Sequence, residues 1–564
     1  MCGIVLVPDT PEYSTITAST RGPDATTVKC FTLGGERYQL RFYRLEVFGG
    51  DSASQPVEIG SVGKGTHIFA CNGEIYNWQK LNRELNTDIQ GDCLVAAKLM
   101  ERLSFSKSTQ ESDSISTPGE RLQEELGRLH GEFALVSIHT NSKTQADSVV
   151  VARDRYGVRP LYTGVDSEGR FMAVSSMLGV PSNLTHFFTQ MKSGTWQKVQ
   201  MQPDGVNITT RGKFTPPPLP PLATTNVAGL QREFMHAVGV RCQQIGANQK
   251  IGVLLSGGMD SVAVLAAMCE SINPARIVAF TVAFDNSNTP DVDIAGRVCA
   301  ELGVGKHSVI TMKDDPEAIL VQLRKAIRVL HTFDTTTIRA GTIQNMMYRG
   351  AERVMQEEGI KALLSGEGSD ELAGGYQYFK MAPGPNAADL ESRRLLDDIY
   401  MYDGQRADRT AGAWGKEIRL PFLDTYVVQA FKDWWAPEER WDEHVEKKRL
   451  REVLASIPYP SFQANAVQEA IRRPKDALSD SVGRRWVERL KLIAAEYCDE
   501  RTFPRWMHLP PQTKEQKLYR DIFEQECGGE SAFQIPYLWM PKWQPEGSLG
   551  AMDPSATVLQ CFTE

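Results

Sequence analysis

Residues 251–261 read IGVLLSGGMDS, a short apolar run, a pair of glycines and then Met-Asp-Ser opening a second apolar stretch, VAVLAAM. An apolar run of this length bounded by glycine predicts a buried strand; the glycines predict a sharp turn and the continuing stretch a helix. RIVAFTVAF at 276–284 reads as another buried strand, and KALLSGEGSDEL at 361–372 repeats the order of strand, glycine turn and acidic helix start. Strands alternating with helices predict a parallel α/β sheet. Further on, DLESRRLLDDIYMY (389–402) and SVGRRWVERLKLIAAEY (481–497) are amphipathic and predict helices.

The turn Ser256-Gly257-Gly258-Met259-Asp260-Ser261 suits an anion. Two glycines let backbone N–H groups surround it without side-chain interference, and the new helix adds its positive end. Ser256 and Ser261 can donate to phosphate oxygens, while Asp260 suits a Mg2+ bridging them. The bland alternative is a tight turn that merely needs glycine, but the specified positions coincide by chance only on the order of 10⁻³ times per chain. Active sites of open parallel sheets form at the carboxyl ends of strands, so the second turn, Ser365-Gly366-Glu367-Gly368-Ser369-Asp370-Glu371, can face the same pocket. There Glu367 would supply a base and Asp370 a second metal ligand, against the plainer reading of both as helix-capping acids. The GxxxxGK[ST] loop is absent from the sequence.

Upstream, FTPPPLPPLATT (214–225) is proline-dense and reads as a linker, giving domains at 1–213 and 226–564. Before it lie short β-rich runs, among them CGIVLV, YQLRFYRLEVF, THIFACNGEIYN and DSVVVARDRYGVRPLY, which predict a sheet-rich α+β domain. SFSKSTQESDSIST (104–117) interrupts them as a surface loop. A chain of 564 residues with 41% hydrophobic and 23% charged residues needs more than one core. A net charge of -8 argues against a nucleic-acid partner, and no apolar run is long enough to span a bilayer. Ten scattered cysteines without ligand spacing predict reduced thiols and a cytoplasmic protein.

Cys2 stands directly behind the start methionine. It reads either as a small apolar residue opening a strand or, once the methionine is trimmed, as a thiol and an α-amine on one residue. An α-amine is roughly a fifth to a third unprotonated at pH about 7.4, against about 0.1% for lysine, so a freed terminus is a good resting base.

Together MCGI, RGPD (21–24), NGEIYN (72–77) and RDRYGVRPLY (153–162) resemble a glutamine amidotransferase domain with an N-terminal cysteine. LLSGGMDS, FDTTTIRA, LLSGEGSDEL, RADRT, IRLPFLD, RRPKDALSD, TKEQKLYRDIF, WMPKW and MDPSA follow in the order seen in glutamine-hydrolysing asparagine synthetases. That resemblance implies an α+β four-layer αββα sandwich, then an α/β ATP-pyrophosphatase domain with added C-terminal helices. The reaction it implies turns aspartate, glutamine and ATP into asparagine, glutamate, AMP and pyrophosphate, with Mg2+ as cofactor and homodimer as the one assembly considered.

By motif, the resemblance makes Cys2 the nucleophile and Asn72 and Gly73 the oxyanion donors. Arg44, Leu45, Glu46, Val47, Phe48, Glu74 and Asp92, with Asn72 and Gly73, would hold glutamine. Leu255, Ser256, Gly257, Gly258, Asp260, Ser261, Val282, Ser365, Gly366 and Lys447 would hold ATP or pyrophosphate, and Asp260 and Asp370 the metal. Glu367 would shape adenylate formation and deprotonate ammonia, while Thr336, Thr337 and Arg339 fall where aspartate or channel residues lie. Thr20, Tyr43, His331 and Trp414 depart from the family pattern, which has His, His, Glu and His there. Two other readings are a related ligase closing an amide on another carboxylate, as β-lactam-forming enzymes do, and a non-catalytic regulator. Retention of Cys2, RGPD and NGE opposes the first; retention of Cys2, Asp260, Glu367 and Asp370 opposes the second.

Overall fold

The computed structural model describes residues 1–47, 54–61, 65–105, 117–140, 147–202, 205–219, 225–246, 248–284, 289–473, 485–497, 508–544 and 554. Phe48, most of the 104–117 loop, residues 474–480 of RRPKDALSD and all of MDPSA but Pro554 lie outside them. The chain divides into two compact units, Met1–Pro218 and Leu219–Glu564, within the proline-dense stretch.

The first unit contains two six-stranded antiparallel sheets. One runs Phe188–Gln190, Tyr162–Val165, Phe171–Val174, Gly3–Pro8, Glu36–Arg44, Ala25–Leu33; the other runs Gly205–Lys213, Thr195–Gln202, Asp147–Arg153, Gly131–Thr140, Gly65–Ile75, Val57–Ser61. Period-two alternation sorts the side chains of each strand. Ile4 and Leu6 meet Ile68, Ala70, Val136 and Val151 between the sheets. Val5 and Val7 point the other way, onto Tyr13, Ile16, Met172 and Val174. A strand buried on both faces has to be apolar throughout, which explains the unbroken CGIVLV. Phe69, Cys71 and Ile75 face the helices Asp92–Phe105 and Pro118–Gly127 through Val95, Leu99 and Leu126. The outer face of the first sheet is covered by shorter elements, the 3-10 turns Pro11–Tyr13 and Thr185–Phe187 with their flanking chain.

The second unit is built on a five-stranded parallel sheet in the order Lys306–Met312, Ile277–Phe284, Ile251–Leu254, Ala362–Leu364, Glu417–Arg419. The chain winds outward from Ile251–Leu254 to one side, then returns to build the other side from Ala362–Leu364. The two glycine turns therefore leave the carboxyl ends of adjacent strands, at the point where the winding reverses.

Candidate active sites

In the first unit the half-buried Cys2 precedes the central strand Gly3–Pro8, and its Sγ lies 3.8 Å from the Leu45 carbonyl oxygen. Arg21 of RGPD donates from Nε to the Cys2 carbonyl (3.2 Å), clamping the backbone of Cys2, a role that the sequence did not announce. The RGPD loop sits tight against the segment that follows strand Glu36–Arg44. A Cβ on Gly22 would come within 2.2 Å of the Tyr43 carbonyl oxygen, and Asp24 accepts from the Glu46 N–H at 2.7 Å. Arg44 and Glu46 approach to 3.7 Å, and Leu45 and Val47 are buried beside them.

Asn72 and Gly73 lie on Gly65–Ile75 in the other sheet. Asn72 is fully buried, and neither its Oδ1 nor its Nδ2 has a hydrogen-bond partner among the described residues. Leaving a buried amide unpaired costs about 1–3 kcal/mol, which a ligand oxyanion would offset. Gly73 has φ +140°, and a Cβ there would sit 1.9 Å from the Glu132 carbonyl oxygen, so only glycine fits. Glu74 and Asp92 are both buried, and Asp92 accepts from the Ile75 N–H at 2.8 Å, fixing the helix start to the strand that carries Glu74. Asp154 of RDRYGVRPLY is a structural hub. It accepts from the N–H groups of Phe133, Tyr156, Val158 and Arg159, and burial pushes its carboxyl up to about 6 against those bonds.

In the second unit both glycine turns open into one cavity of about 310 Å³. Its walls include Leu255, Ser256, Gly258, Asp260, Ser261, Val282, Ser365, Gly366, Glu367, Asp370 and Lys447, together with Thr336 and Arg339. Gly257 and Thr337 stand off the walls. Gly257 is a packing glycine, with φ +79° and space for a Cβ only 2.4 Å from the Asp291 carbonyl oxygen. The Thr337 N–H serves a helix start, donating to Asp334 Oδ1 at 2.9 Å. Arg339 reaches the cavity with its fork already engaged, since Glu515 accepts from Nε and Nη2 at 2.8 and 2.6 Å. Both side chains are buried, so the pair stiffens the wall.

Within the turn, Ser256 Oγ and Ser261 Oγ are 3.1 Å apart, and Gly258 donates to Ser256 Oγ at 3.3 Å. Among the described residues no side chain caps the helix Met259–Ser271 at Gly258, and Gly258 and Met259 line the cavity at its positive end. Lys447 is fully buried, with Nζ 2.7 Å from Asp260 Oδ2, 2.6 Å from Asp370 Oδ1 and 3.0 Å from Ser369 Oγ. Asp260 Oδ1 is buried without a hydrogen-bond partner among the described residues. Paired acidic side chains with an orphaned oxygen suit Mg2+, which usually takes one or two carboxylates and fills its shell with phosphate and water.

Glu367 is held between Gln344 Nε2 (3.0 Å) and Arg406 Nη2 (2.7 Å). Burial shifts its carboxyl upward, with Arg406 opposing. Beside it Arg406 also pairs with Asp403. The Tyr376 hydroxyl lies 2.6 Å from Glu371 Oε1 and 2.7 Å from Asp403 Oδ2. One hydroxyl proton cannot serve two carboxylates, so a second proton must reside in this group. Burial and then Asp403 push Glu371 well above the ordinary range, whereas Arg406, working against burial, holds Asp403 below it. These opposite directions favour the proton on Glu371. Glu371→Gln, which mimics that form, is expected to keep synthetic activity within about threefold at neutral pH, while Asp403→Asn loses tenfold or more by leaving the buried Arg406 with Glu367 as its one remaining carboxylate among those described. Steady-state rates of the two variants check this.

Of the four positions that depart from the resemblance, His331 and Trp414 belong to the second unit and Thr20 and Tyr43 to the first. His331 closes helix Pro316–Leu330 in the left-handed region (φ +52°), and Trp414 donates from Nε1 to Asn345 Oδ1 at 3.0 Å. Tyr43 is buried against the outer core of the first sheet, and Thr20 is exposed.

An asparagine synthase family model matches residues 230–391 and 380–551, and a glutamine amidotransferase domain model matches residues 42–180. A probable asparagine synthetase (glutamine-hydrolyzing) of Acanthamoeba polyphaga mimivirus is 32% identical over 96% of this chain and 94% of its own. The asparagine synthetase (glutamine-hydrolyzing) of Gallus gallus is 31% identical over 100% and 99%, and that of Homo sapiens 30% identical over 96% and 94%. With both domain types matched in order and 30–32% identity sustained along nearly its whole length, the chain belongs to the glutamine-hydrolysing asparagine synthetase family.

Proposed function

We propose that the chain is an ATP-dependent ligase that makes asparagine from aspartate, with glutamine as nitrogen donor and AMP and pyrophosphate as by-products. The observation that carries this reading is the shared cavity. Two glycine turns, two carboxylates, a buried lysine and the Glu367 base meet at the sheet's reversal point.

In the first unit the Cys2 thiol adds to the glutamine side-chain carbonyl, and the oxyanion lies on donors from Asn72 and the Gly73 backbone. Ammonia leaves, and water then releases glutamate from the thioester. Arg44, Glu74 and Asp92 provide opposite charges for the α-carboxylate and α-amine of glutamine. In the second unit the β-carboxylate of aspartate attacks the α-phosphorus of ATP, and pyrophosphate departs toward Lys447 and the uncapped helix end. Asp260 and Asp370 would hold Mg2+, which when bound neutralises phosphate charge. Ammonia then attacks the acyl carbon of the β-aspartyl adenylate, Glu367 accepts a proton, and AMP leaves. Eight described cysteines are free thiols, which supports a reducing, cytoplasmic setting.

Incubation with aspartate, ATP, Mg2+ and either glutamine or ammonium tests the reading. Asparagine, AMP and pyrophosphate are expected in equal amounts from both nitrogen sources. ADP and phosphate as products, or no asparagine, would overturn it.

A further inference from the structure

Resting on that reading, we propose that Trp539 decides whether the acyl-adenylate is aminated or hydrolysed, by closing the cavity to water. Trp539 belongs to WMPKW, a motif to which neither sequence reading nor mechanism had given a task. It lies in a chain segment after the 3-10 turn Gly529–Gln534, and both Trp539 and Pro541 line the cavity.

The segment is tied down along its length. Tyr537 pairs through its hydroxyl with Asp398 and accepts from Arg394 Nη1 at 3.0 Å, while its carbonyl accepts from the Tyr402 hydroxyl at 3.0 Å. Lys542 Nζ lies 3.4 Å from Glu391. The Trp539 N–H donates to Asp334 Oδ2 at 2.7 Å, and Asp334 Oδ1 accepts from the Thr336 hydroxyl (2.8 Å) and the Thr337 N–H (2.9 Å). One carboxylate therefore sets the position of the strap and of the wall that carries Thr336. The indole ring, 8% exposed, lies 5.5 Å from Tyr376 and 5.9 Å from Tyr378, completing an aromatic wall.

Removing an indole from a wall lined by Tyr376, Thr336 and Glu367 opens space bordered by polar groups, which water fills readily. Water outnumbers ammonia greatly, so admission matters. Water adds to the acyl carbon, the bond between that carbon and the AMP oxygen breaks, AMP leaves with the electron pair, and aspartate re-forms as the proton passes to solvent. Pyrophosphate is then released with no asparagine made, and one solvent oxygen enters aspartate.

The experiment uses the full chain with ammonium, aspartate, ATP and Mg2+ in ¹⁸O-water, scoring pyrophosphate, asparagine and label in aspartate. Wild type is expected to give about one pyrophosphate per asparagine and little label; Trp539→Ala is expected to raise the ratio about threefold or more and to label aspartate, with Trp539→Phe near wild type. Aspartate-dependent exchange of pyrophosphate into ATP reports whether the pocket of each variant is intact. If the alanine variant lacks exchange, Trp539→Leu decides by the same ratio and label. A lower rate with an unchanged ratio and no label means a merely structural residue, and overturns the proposal. Absence of asparagine in wild type would instead sink the functional reading beneath it.

Discussion

Cys2→Ala is expected to lower glutamine-dependent asparagine formation by about 10³-fold or more and to leave ammonium-dependent formation within about twofold. The asymmetry follows from where the atoms lie. Cys2 belongs to the first compact unit, and every lining residue of the adenylating cavity belongs to the second. Glutamine's amide needs a covalent route, and the substitution deletes the only atom that forms the thioester. It trims one half-buried sulfur to a methyl group of a small residue, a change that a strand edge tolerates well. Parallel assays of glutamate, asparagine and pyrophosphate check the outcome. Equal loss with both nitrogen sources would show that the thiol serves the fold and not the chemistry.

Lys447→Ala should have the opposite signature, reducing synthesis from glutamine and from ammonium alike by about 10²-fold or more, with glutamate release from glutamine retained. Lys447 Nζ lies between Asp260 and Asp370, at 2.7 and 2.6 Å, and its side chain is fully buried. Taking one partner from a buried charge group costs about 3–5 kcal/mol, so the melting temperature should fall as well. The residue also holds φ +56°, which costs an L side chain roughly 1–2 kcal/mol. Strain and burial of a charge both work against stability, and their coincidence at the pyrophosphate end points to function. Arginine is not expected to rescue. A Cβ on Gly375 would lie 2.0 Å from Lys447 Cε, so the passage is too narrow for a planar fork. Glutamate release falling in step with synthesis would contradict this division.

The parts of the site legible in the sequence were those with local chemistry. IGVLLSGGMDS announced its strand, turn and helix because apolar runs, glycines and caps act over a few residues. Most residues assigned to the nucleotide pocket, from Leu255 to Lys447, do line one cavity. Hidden from view were partnerships across long stretches of chain. Arg339 was read as an aspartate or channel residue; it lines the cavity, but its ion pair with Glu515, 176 positions away, could not be foreseen. Asp334 meets Trp539 across 205 positions, and no local pattern marks either pair. The meeting of Glu371 and Asp403 at the Tyr376 hydroxyl was equally invisible, because the two acids come from separate helices and no local pattern joins them.

The cavity draws its walls from positions as far apart as Leu254 and Trp539, whereas the first unit ends at Pro218. On the ribosome the two units therefore mature at different times. At typical elongation rates the gap between completing the first and emerging with Trp539 is roughly 15–60 s.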